Sequence, residues 1–590
     1  MTFISAKMEH HSQKSTVKIA FAVFLFVQSS LVSADANGGA SCATCTVIVA
    51  LAEQTSVIHN ESIIHALDRI CGYLPGTYQK ACKEFVDFFG PILIDILTED
   101  DTPDTVCHKL SFCFTQPRKQ ECSLFPKKAY GFKSRKIRST RDLVANMEKD
   151  KAYFKNPMKI GIKVCDLPGI KEICDWIKVV FDNHDPGVDL DSDRFSPYET
   201  LRGFSWRGKD CDDANGEVHP GSKPIDSDMV VDSNCNGIKG KDPITGDTYE
   251  DLLCSNTEPR GIALLGDSIG AHFHLPREWF NSSELSVEAF ELLPFILENE
   301  FDWPELSSTT GFMNATDSMQ HVIHGPTDSL YYRLWQRNHC NFRDFQNMGV
   351  NGARSGSMAE TIENSLFRNS SMDYPLIVFY ALVGNDVCNG HPDTFADMTT
   401  PKEMRKNVLA TLDFLDGRLP ANSHVMLVGL ADGRLLYEGL SNRTHPVGSL
   451  RNDVTYAEFY DYFNCLEISP CTGWMNTNST VREMTTLRAE ELSAVLKDVA
   501  DKNKNTYKNF ELYYSDNPVY QVLDQWKKQG GELWQLLEPV DGFHTNQQAN
   551  ALLADVTWKN LEQLYPNFIG NVNPNNDKIT EIFGDQGGYL

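Results

Sequence analysis

Residues Arg260–Pro276 read RGIALLGDSIGAHFHLP. Ile262, Ala263, Leu264 and Leu265 form an unbroken apolar run that stops at Gly266, ahead of Asp267, Ser268, Ile269 and Gly270. A short apolar run closed by glycine predicts a buried strand entering a tight turn. Strands covered on both faces of a parallel sheet are apolar throughout rather than alternating. Chemistry in such sheets gathers beyond the carboxyl ends of the strands, which is where Ser268 falls. A serine after a strand is also an ordinary helix cap, so the rest of the chain has to decide between the two.

Downstream, Leu376–Leu382 (LIVFYAL) and Val425–Leu430 (VMLVGL) repeat the buried-strand pattern. They end at Val383-Gly384-Asn385-Asp386 and at Ala431-Asp432-Gly433. Lys402–Leu415, Leu487–Ala500 and Gln547–Leu564 carry helical periodicity. Strands alternating with helices predict a three-layer α/β domain with a parallel sheet. Three turns then stand out: Asn347–Gly352, a glycine turn after a polar stretch; Gly384-Asn385-Asp386; and Asp541-Gly542-Phe543-His544.

A serine hydroxyl is a weak nucleophile until a base takes its proton. His544 is the candidate base, and Asp541, three residues earlier, is placed to hold its tautomer. A tetrahedral intermediate needs preorganised donors for its oxyanion. The backbone N–H groups of Ser268 and Gly352 and the side-chain amide of Asn385 are the candidates. Alone, Asn385 is an ordinary turn residue and His544 an ordinary polar one; the argument rests on the order of all four blocks.

These blocks resemble those of the GDSL, or SGNH, hydrolases. Two positions depart from that pattern: Val383 stands where the third block has its first glycine, and Thr545 where a proline often follows the histidine. Gly266-Asp267-Ser268-Ile269-Gly270 also fits the G-x-S-x-G elbow of α/β-hydrolases. That fold places its acid well before its histidine, whereas here the best acid precedes it by three. His272 and His274 crowd the nucleophile. Phosphate binding, support of the turn and metal ligation are all open to them; no third ligand stands at fitting spacing, and a supporting role is expected.

The whole chain has 590 residues, long enough for roughly three or four domains. Hydrophobic and charged contents of 41% and 23% are those of a globular protein. A net charge of −26 argues against nucleic acid as a partner. Lys7, Lys14 and Lys18 precede the apolar run Ile19–Val27, and small residues follow at Ser33-Ala34-Asp35-Ala36. This predicts a signal peptide over residues 1–36, cut after Ala34 or Ala36; the run is shorter than the ~20 residues of a membrane anchor. The expected destination is secretion, with vesicular or lysosomal residence also open. Sixteen cysteines then suggest disulfides. Asn60, Asn281, Asn314, Asn369, Asn442 and Asn478 begin N-x-S/T sequons, candidates for glycosylation.

Cys42, Cys45, Cys71, Cys82, Cys107 and Cys113 are interleaved with helix-like patterns at Thr46–Leu51, Ile63–Ile70 and Phe85–Leu97. Cys42-x2-Cys45 is compatible with zinc, but no second ligand pair stands at metal spacing. Six cysteines allow fifteen connectivities. Their spacing resembles the saposin-like domain, here over residues 37–118. The resemblance implies a helical module with bonds 42–113, 45–107 and 71–82, and an apolar face that engages lipid. A stapled helical domain that only packs on its neighbour is the plainer alternative. Residues 119–160 form a basic linker in which a processing site is expected; its stretch Pro126–Arg141 would attract proteases and also phosphate, and a solvated linker is the plainest reading.

Residues 161–255 include a stretch rich in aspartate, glycine and proline. Asp185 is followed by Asp189-x-Asp191-x-Asp193, then by Asp210, Asp212 and Asp213, then by Asp232-x-Asn234-x-Asn236. Oxygens at such density suit Ca²⁺. Counted from Asp189, an EF-hand would need Gly and Glu where Arg194 and Thr200 stand, so the motif is not one. The expectation is two or three structural calcium ions, with Cys211 and Cys235 able to pin the halves together. DCDD…HPG…DSNCNG resembles calcium-binding repeats of secreted proteins. Residues 256–590 make up the hydrolase domain.

A saposin-like module, a calcium segment and a GDSL-type domain in one exported chain, with LLGDSIGAHFH, LRGFSWRGKDCDD, GNDVC and EPVDGFH, resemble the acyloxyacyl hydrolase family. The resemblance implies release of secondary acyl chains from the lipid A of bacterial lipopolysaccharide. It implies action on lipid aggregates or membrane surfaces, and cleavage into small and large subunits that stay disulfide-linked. It also implies the pairs 122–465, joining the subunits, 165–174, 211–235, 254–340 and 388–471. A broader phospholipase or lysophospholipase, or an inactive lipid-binding protein, are the alternatives; intact Ser268, Asn385, Asp541 and His544 speak against the last.

Overall fold

The computed structural model describes residues 36–76, 78–80, 82–83, 86–87, 102–117, 119–126 and 184–589. The expected leader, most of the basic linker, the helical pattern Phe85–Leu97 and the pair Cys165–Cys174 lie largely or wholly outside them. The chain divides into two compact units by packing, not by chain order.

The described part of the first unit begins with α1 (Gly39–His59) and α2 (Ile63–Tyr73) and continues through α3 (Pro103–Lys109). Asn60 ends α1 in a left-handed cap, and Ser62 starts α2 by accepting the His65 N–H, so the chain reverses within two residues. Disulfides Cys42–Cys113 and Cys45–Cys107 staple α1 to the α3 region, and Cys71–Cys82 closes α2. α1 is long and apolar enough to cross a membrane, yet 56% of that apolar window is buried in the protein, as in a core helix.

Pro276–Leu297 and Asn442–Ile468 belong to this unit, although they interrupt the hydrolase part of the chain. They receive the polar groups of α1. Thr46 Oγ1 meets the Tyr462 hydroxyl at 2.9 Å, and Gln54 donates to the Val447 carbonyl at 2.6 Å and accepts from Ser282 at 2.9 Å. Glu53 pairs with Arg451 at 2.5 Å. The Cys122–Cys465 bond ties the same parts together.

The second unit holds a five-stranded, all-parallel sheet: β1 (Gly261–Gly266), β2 (Phe345–Gly349), β3 (Leu376–Ala381), β4 (Ser423–Val428) and β5 (Phe510–Ser515), in the order β2-β1-β3-β4-β5. Every residue of β1 is buried. Side chains alternate across a strand, so Ile262 and Leu264 share one face with Phe345, Ile377 and Phe379, packed under Trp558, Leu561 and Phe568. Between strands run α4 (Ser355–Ser365), α5 (Pro401–Arg418), opened by a Thr400–Glu403 capping box, and α6 (Ser479–Asn503). α7 (Gln547–Leu564) follows the last strand and carries Trp558 and Leu561. Sequence periodicity located β1, β3 and β4; it did not locate β2 or β5.

The aspartate-rich stretch belongs to this unit too and runs along the sheet edge. Arg207 bridges antiparallel to Gln346 of β2, Gly208 N–H donates to Phe345, and Asn347 N–H donates to Trp206 at 2.7 Å. A Cβ on Gly208 would sit 1.7 Å from the Arg343 carbonyl, so only glycine permits this approach. Cys211–Cys235, Cys254–Cys340 and Cys388–Cys471 are bonded within the unit. The sequon asparagines are exposed except Asn281, which is half-buried.

Candidate active site

The carboxyl ends of β2, β1 and β3 lie side by side, with Gly266 in register with Gly349 and Ala381. Ser268, Gly352 and Asn385 leave the sheet two, three and four residues beyond those points. Gly352 has φ 79°, a conformation that glycine takes without strain. Asp267 caps a short helix Ser268–Ala271 by accepting the Ile269 N–H at 3.0 Å, and its other oxygen accepts the Val383 N–H at 2.9 Å. One buried carboxylate therefore links the nucleophile's turn to the loop that carries Asn385.

His544 Nε2 accepts from the Ser268 hydroxyl at 2.7 Å, and Nδ1–H donates to Asp541 Oδ2 at 2.6 Å. Asp541 Oδ1 accepts the backbone N–H groups of Phe543 at 2.7 Å and His544 at 3.0 Å, which fixes the turn that presents the imidazole. Burial alone would push the His544 pKa down, but the Asp541 carboxylate outweighs it and leaves the pKa above its ordinary value. Burial acts to raise Asp541, and the charge and hydrogen bond of His544 bring it below the usual carboxylate range.

His274 sits between Glu538 Oε2 at 2.8 Å and the Val322 carbonyl at 2.9 Å. Glu538 opens the turn that leads to Asp541, so this pair joins the turn after Ser268 to the turn that holds His544. His272 is buried at φ 65°, and burial pushes its pKa down to about 3, so it is neutral at physiological pH. Neither histidine belongs to a group of three possible metal ligands among the described residues. Asp267 and Glu538 were not singled out from sequence; Asp267 lies inside the first motif, and its position there was the available signal.

A cavity of about 90 Å³ opens beside this site. Ile269, next to Ser268, and Val383 and Gly384, next to Asn385, line one part of it, and Leu435, Leu523 and Leu536 are among its apolar walls. A larger open depression of about 720 Å³, bounded by Asp328, Arg333, Asp555 and Trp558, is not lined by Ser268, Asp541 or His544.

The acidic stretch brings together two overlapping sets, Asp189–Asp191–Asp213 and Asp191–Asp193–Asp210. Asp191, Asp193, Asp210 and Asp213 each have a buried carboxylate oxygen with no hydrogen-bond donor. Burial pushes Asp193 up to about 8 and Asp210 to about 6. Charged oxygens with no partner are what a bound cation satisfies, so these residues fit a metal. Asp185 Oδ1 is likewise buried without a hydrogen bond and lies 3.6 Å from Arg194 Nε, and neither Asp185 nor Asp212 is in either set. Asp232, Asn234 and Asn236 form a separate loop, in which both asparagine amides donate to Glu250. Glu250, pushed up to about 8 by burial, was not foreseen from sequence. Cys211 and Cys235 lie against Asp210 but are bonded to each other and offer no thiolate.

Residues 262–557 match the GDSL-like lipase/acylhydrolase family, and residues 41–175 match the saposin-like domain. The parallel sheet and the matched families define a GDSL-type ester hydrolase that carries a saposin-like module. The chain is 44% identical over 557 residues to the acyloxyacyl hydrolase of Homo sapiens, covering 94% of each chain. It is 43% identical over 553 residues to that of Mus musculus, covering 93% of this chain and 94% of the other. Mus musculus prosaposin is 38% identical over 79 residues, 13% of this chain and 14% of its own. The chain belongs to the acyloxyacyl hydrolase family.

Proposed function

We propose that this chain is a secreted esterase that removes secondary fatty acyl chains from the lipid A of bacterial lipopolysaccharide, with Ser268, His544 and Asp541 as its catalytic residues. The observation that carries the reading is the buried relay Ser268–His544–Asp541, at 2.7 and 2.6 Å, beside an apolar cavity. The relatives' shared name, acyloxyacyl hydrolase, supplies the substrate class.

In this mechanism His544 Nε2 takes the Ser268 proton as Oγ attacks the ester carbonyl. The Ser268 and Gly352 N–H groups and the Asn385 amide receive the oxyanion. Collapse of the intermediate breaks the bond to the 3-hydroxyl oxygen of the primary chain, which leaves with the proton from His544. Water then attacks the acyl-Ser268 ester, giving its proton to His544; collapse of this second intermediate breaks the bond to Ser268 Oγ, which takes that proton back from His544 as the fatty acid departs. Asp541 keeps the proton on Nδ1 and stabilises the imidazolium between steps.

Calcium is the cation that suits the all-oxygen Asp189–Asp213 cluster, and its role in this reading is to hold that segment folded. The saposin-like module serves to engage lipid aggregates or membrane surfaces. Cys122–Cys465 would hold small and large subunits together after cleavage of the linker. Mass spectrometry of fatty acids freed from purified lipopolysaccharide tests the activity. Secondary chains should appear while the primary 3-hydroxy chains stay attached, and the Ser268→Ala variant should release neither. Release of primary chains, or of glycerophospholipid acyl chains alone, would instead support a broader lipase.

A further inference from the structure

We infer that Arg202, a residue of the aspartate-rich segment, is a positioning residue for the oxyanion hole, holding the turn that carries Gly352 through the Gly349 carbonyl and Glu300. The inference rests on the serine-hydrolase reading given above. Arg202 is 2% exposed. Its Nε and Nη2 donate to the two oxygens of Glu300 at 2.7 and 2.8 Å, and Nη1 donates to the Gly349 carbonyl at 2.8 Å. The guanidinium lies 3.7 Å above the ring of Trp206, whose indole N–H donates to Asn299. Three of the five N–H donors of the planar fork are thus committed to one geometry, which an ammonium group cannot reproduce.

Gly349 ends β2, and the turn from it reaches Gly352 in three residues. The same turn is held a second time. Asn351 Nδ2 donates to the Glu300 carbonyl at 3.3 Å and to Asp302 Oδ2 at 3.1 Å. Glu300 and Phe301 are both left-handed, at φ 63° and 67°, a strained pair that persists only where surrounding contacts dictate it. The residues just after them reach the nucleophile's side of the site. Asp302 bridges Phe273, Trp303 N–H donates to His272, and His274 N–H donates back to Phe301. Arg202 and residues 300–303 therefore brace the Ser268 and Gly352 arms against each other from outside the pocket. Arg202 itself hydrogen-bonds Glu300 and Gly349 on the Gly352 arm, whereas His544 is held by Asp541 and packs against the Phe273 ring at 4.7 Å, so the effect of Arg202 should fall on oxyanion stabilisation rather than on the base.

Two variants test this. Arg202→Lys keeps a cation for Glu300 but cannot also serve Gly349. Arg202→Met combined with Glu300→Met replaces the buried pair by apolar volume, a change that commonly leaves a fold intact. Each is assayed on a short water-soluble ester, well below its own melting temperature. Loss of one oxyanion donor costs about 10²–10³ in kcat, and a displaced donor should cost about tenfold to a hundredfold. KM should stay within about threefold, the rate of fluorophosphonate labelling at Ser268 should fall by the same factor as kcat, and the acidic limb of the pH profile should not move. Folded variants with normal kcat, or a loss confined to KM, or labelling at the wild-type rate, would each overturn the inference. Ser268→Ala run alongside separates the two ideas: if it keeps activity, the hydrolase reading fails; if only the Arg202 variants keep it, the brace alone fails.

Discussion

Asp541→Asn isolates what the buried carboxylate does for His544. Oδ1 accepts two backbone N–H groups, from Phe543 and His544. An asparagine oxygen can take both, so the turn should survive. Oδ2, 2.6 Å from Nδ1, would be replaced by an NH2 group. That donor forces Nδ1 to accept, which moves the imidazole proton to Nε2, facing Ser268. The ring then cannot take the serine proton. The same change in another Ser-His-Asp hydrolase lowers kcat by about 10⁴, equivalent to about 5.4 kcal/mol of barrier. The expected result is that loss on a short soluble ester, with KM and melting temperature near wild type. Activity within tenfold of wild type, in a folded protein, would refute the role given to this carboxylate.

The pH profile gives a second prediction: His544 must be neutral to act, so kcat/KM should fall as pH drops through a pKa above the ordinary value of about 6.5. The stability contribution of the same group runs the other way, being full below the unfolded pKa and lost as pH rises through the folded one. Ser268→Ala should remove ester cleavage by several orders of magnitude while leaving the melting curve unchanged; near-normal turnover would sink the assignment. Chelation should lower the melting temperature by several degrees, since each site filled at a hundred times its dissociation constant contributes about 2.7 kcal/mol; an unchanged curve with no metal by elemental analysis would remove calcium from the account. Val57→Ser with Ile58→Ser, at exposed apolar positions of α1, should slow cleavage of aggregated lipopolysaccharide more than cleavage of a soluble ester; equal proportional losses would argue against lipid engagement by that face.

The last prediction uses substitutions because deleting the module is not a clean perturbation. Its α1 shields Tyr462 and supplies partners to Val447, Ser282 and Arg451, so removal would strip buried surface from segments of the hydrolase chain. Sequence could not show this, since those contacts join residues hundreds of positions apart. The central strands β1, β3 and β4 were legible because both faces are apolar. β2, FQNMG, was not, because its polar residues are buried by side-chain hydrogen bonds: Gln346 exchanges two with Phe367, and Asn347 reaches Gly270 and Thr310. β5 showed only a partial alternation, with Phe510 and Leu512 inward. In the candidate site, motif order singled out Ser268, Asp541 and His544, which the structure joins by hydrogen bonds. Asp267 stands inside the first motif, but Glu538 and Arg202 contact the site through other residues, and such contacts leave no spacing to read. Among the acidic residues, composition found the stretch, within which the structure groups Asp189, Asp191, Asp193, Asp210 and Asp213. Glu250, on a helix that follows the asparagine loop, accepts from Asn234 and Asn236, a contact that the spacing of the loop's own residues does not show.

The most direct measurement is to treat the protein with a phosphonate analogue of an acyloxyacyl ester, with and without competing lipopolysaccharide, and to map the adduct by peptide mass. The account predicts a single adduct on the peptide containing Ser268, slowed by lipopolysaccharide, and none in Ser268→Ala. An adduct on a different residue, or an unmodified Ser268 in enzyme that the reagent has inactivated, would contradict it.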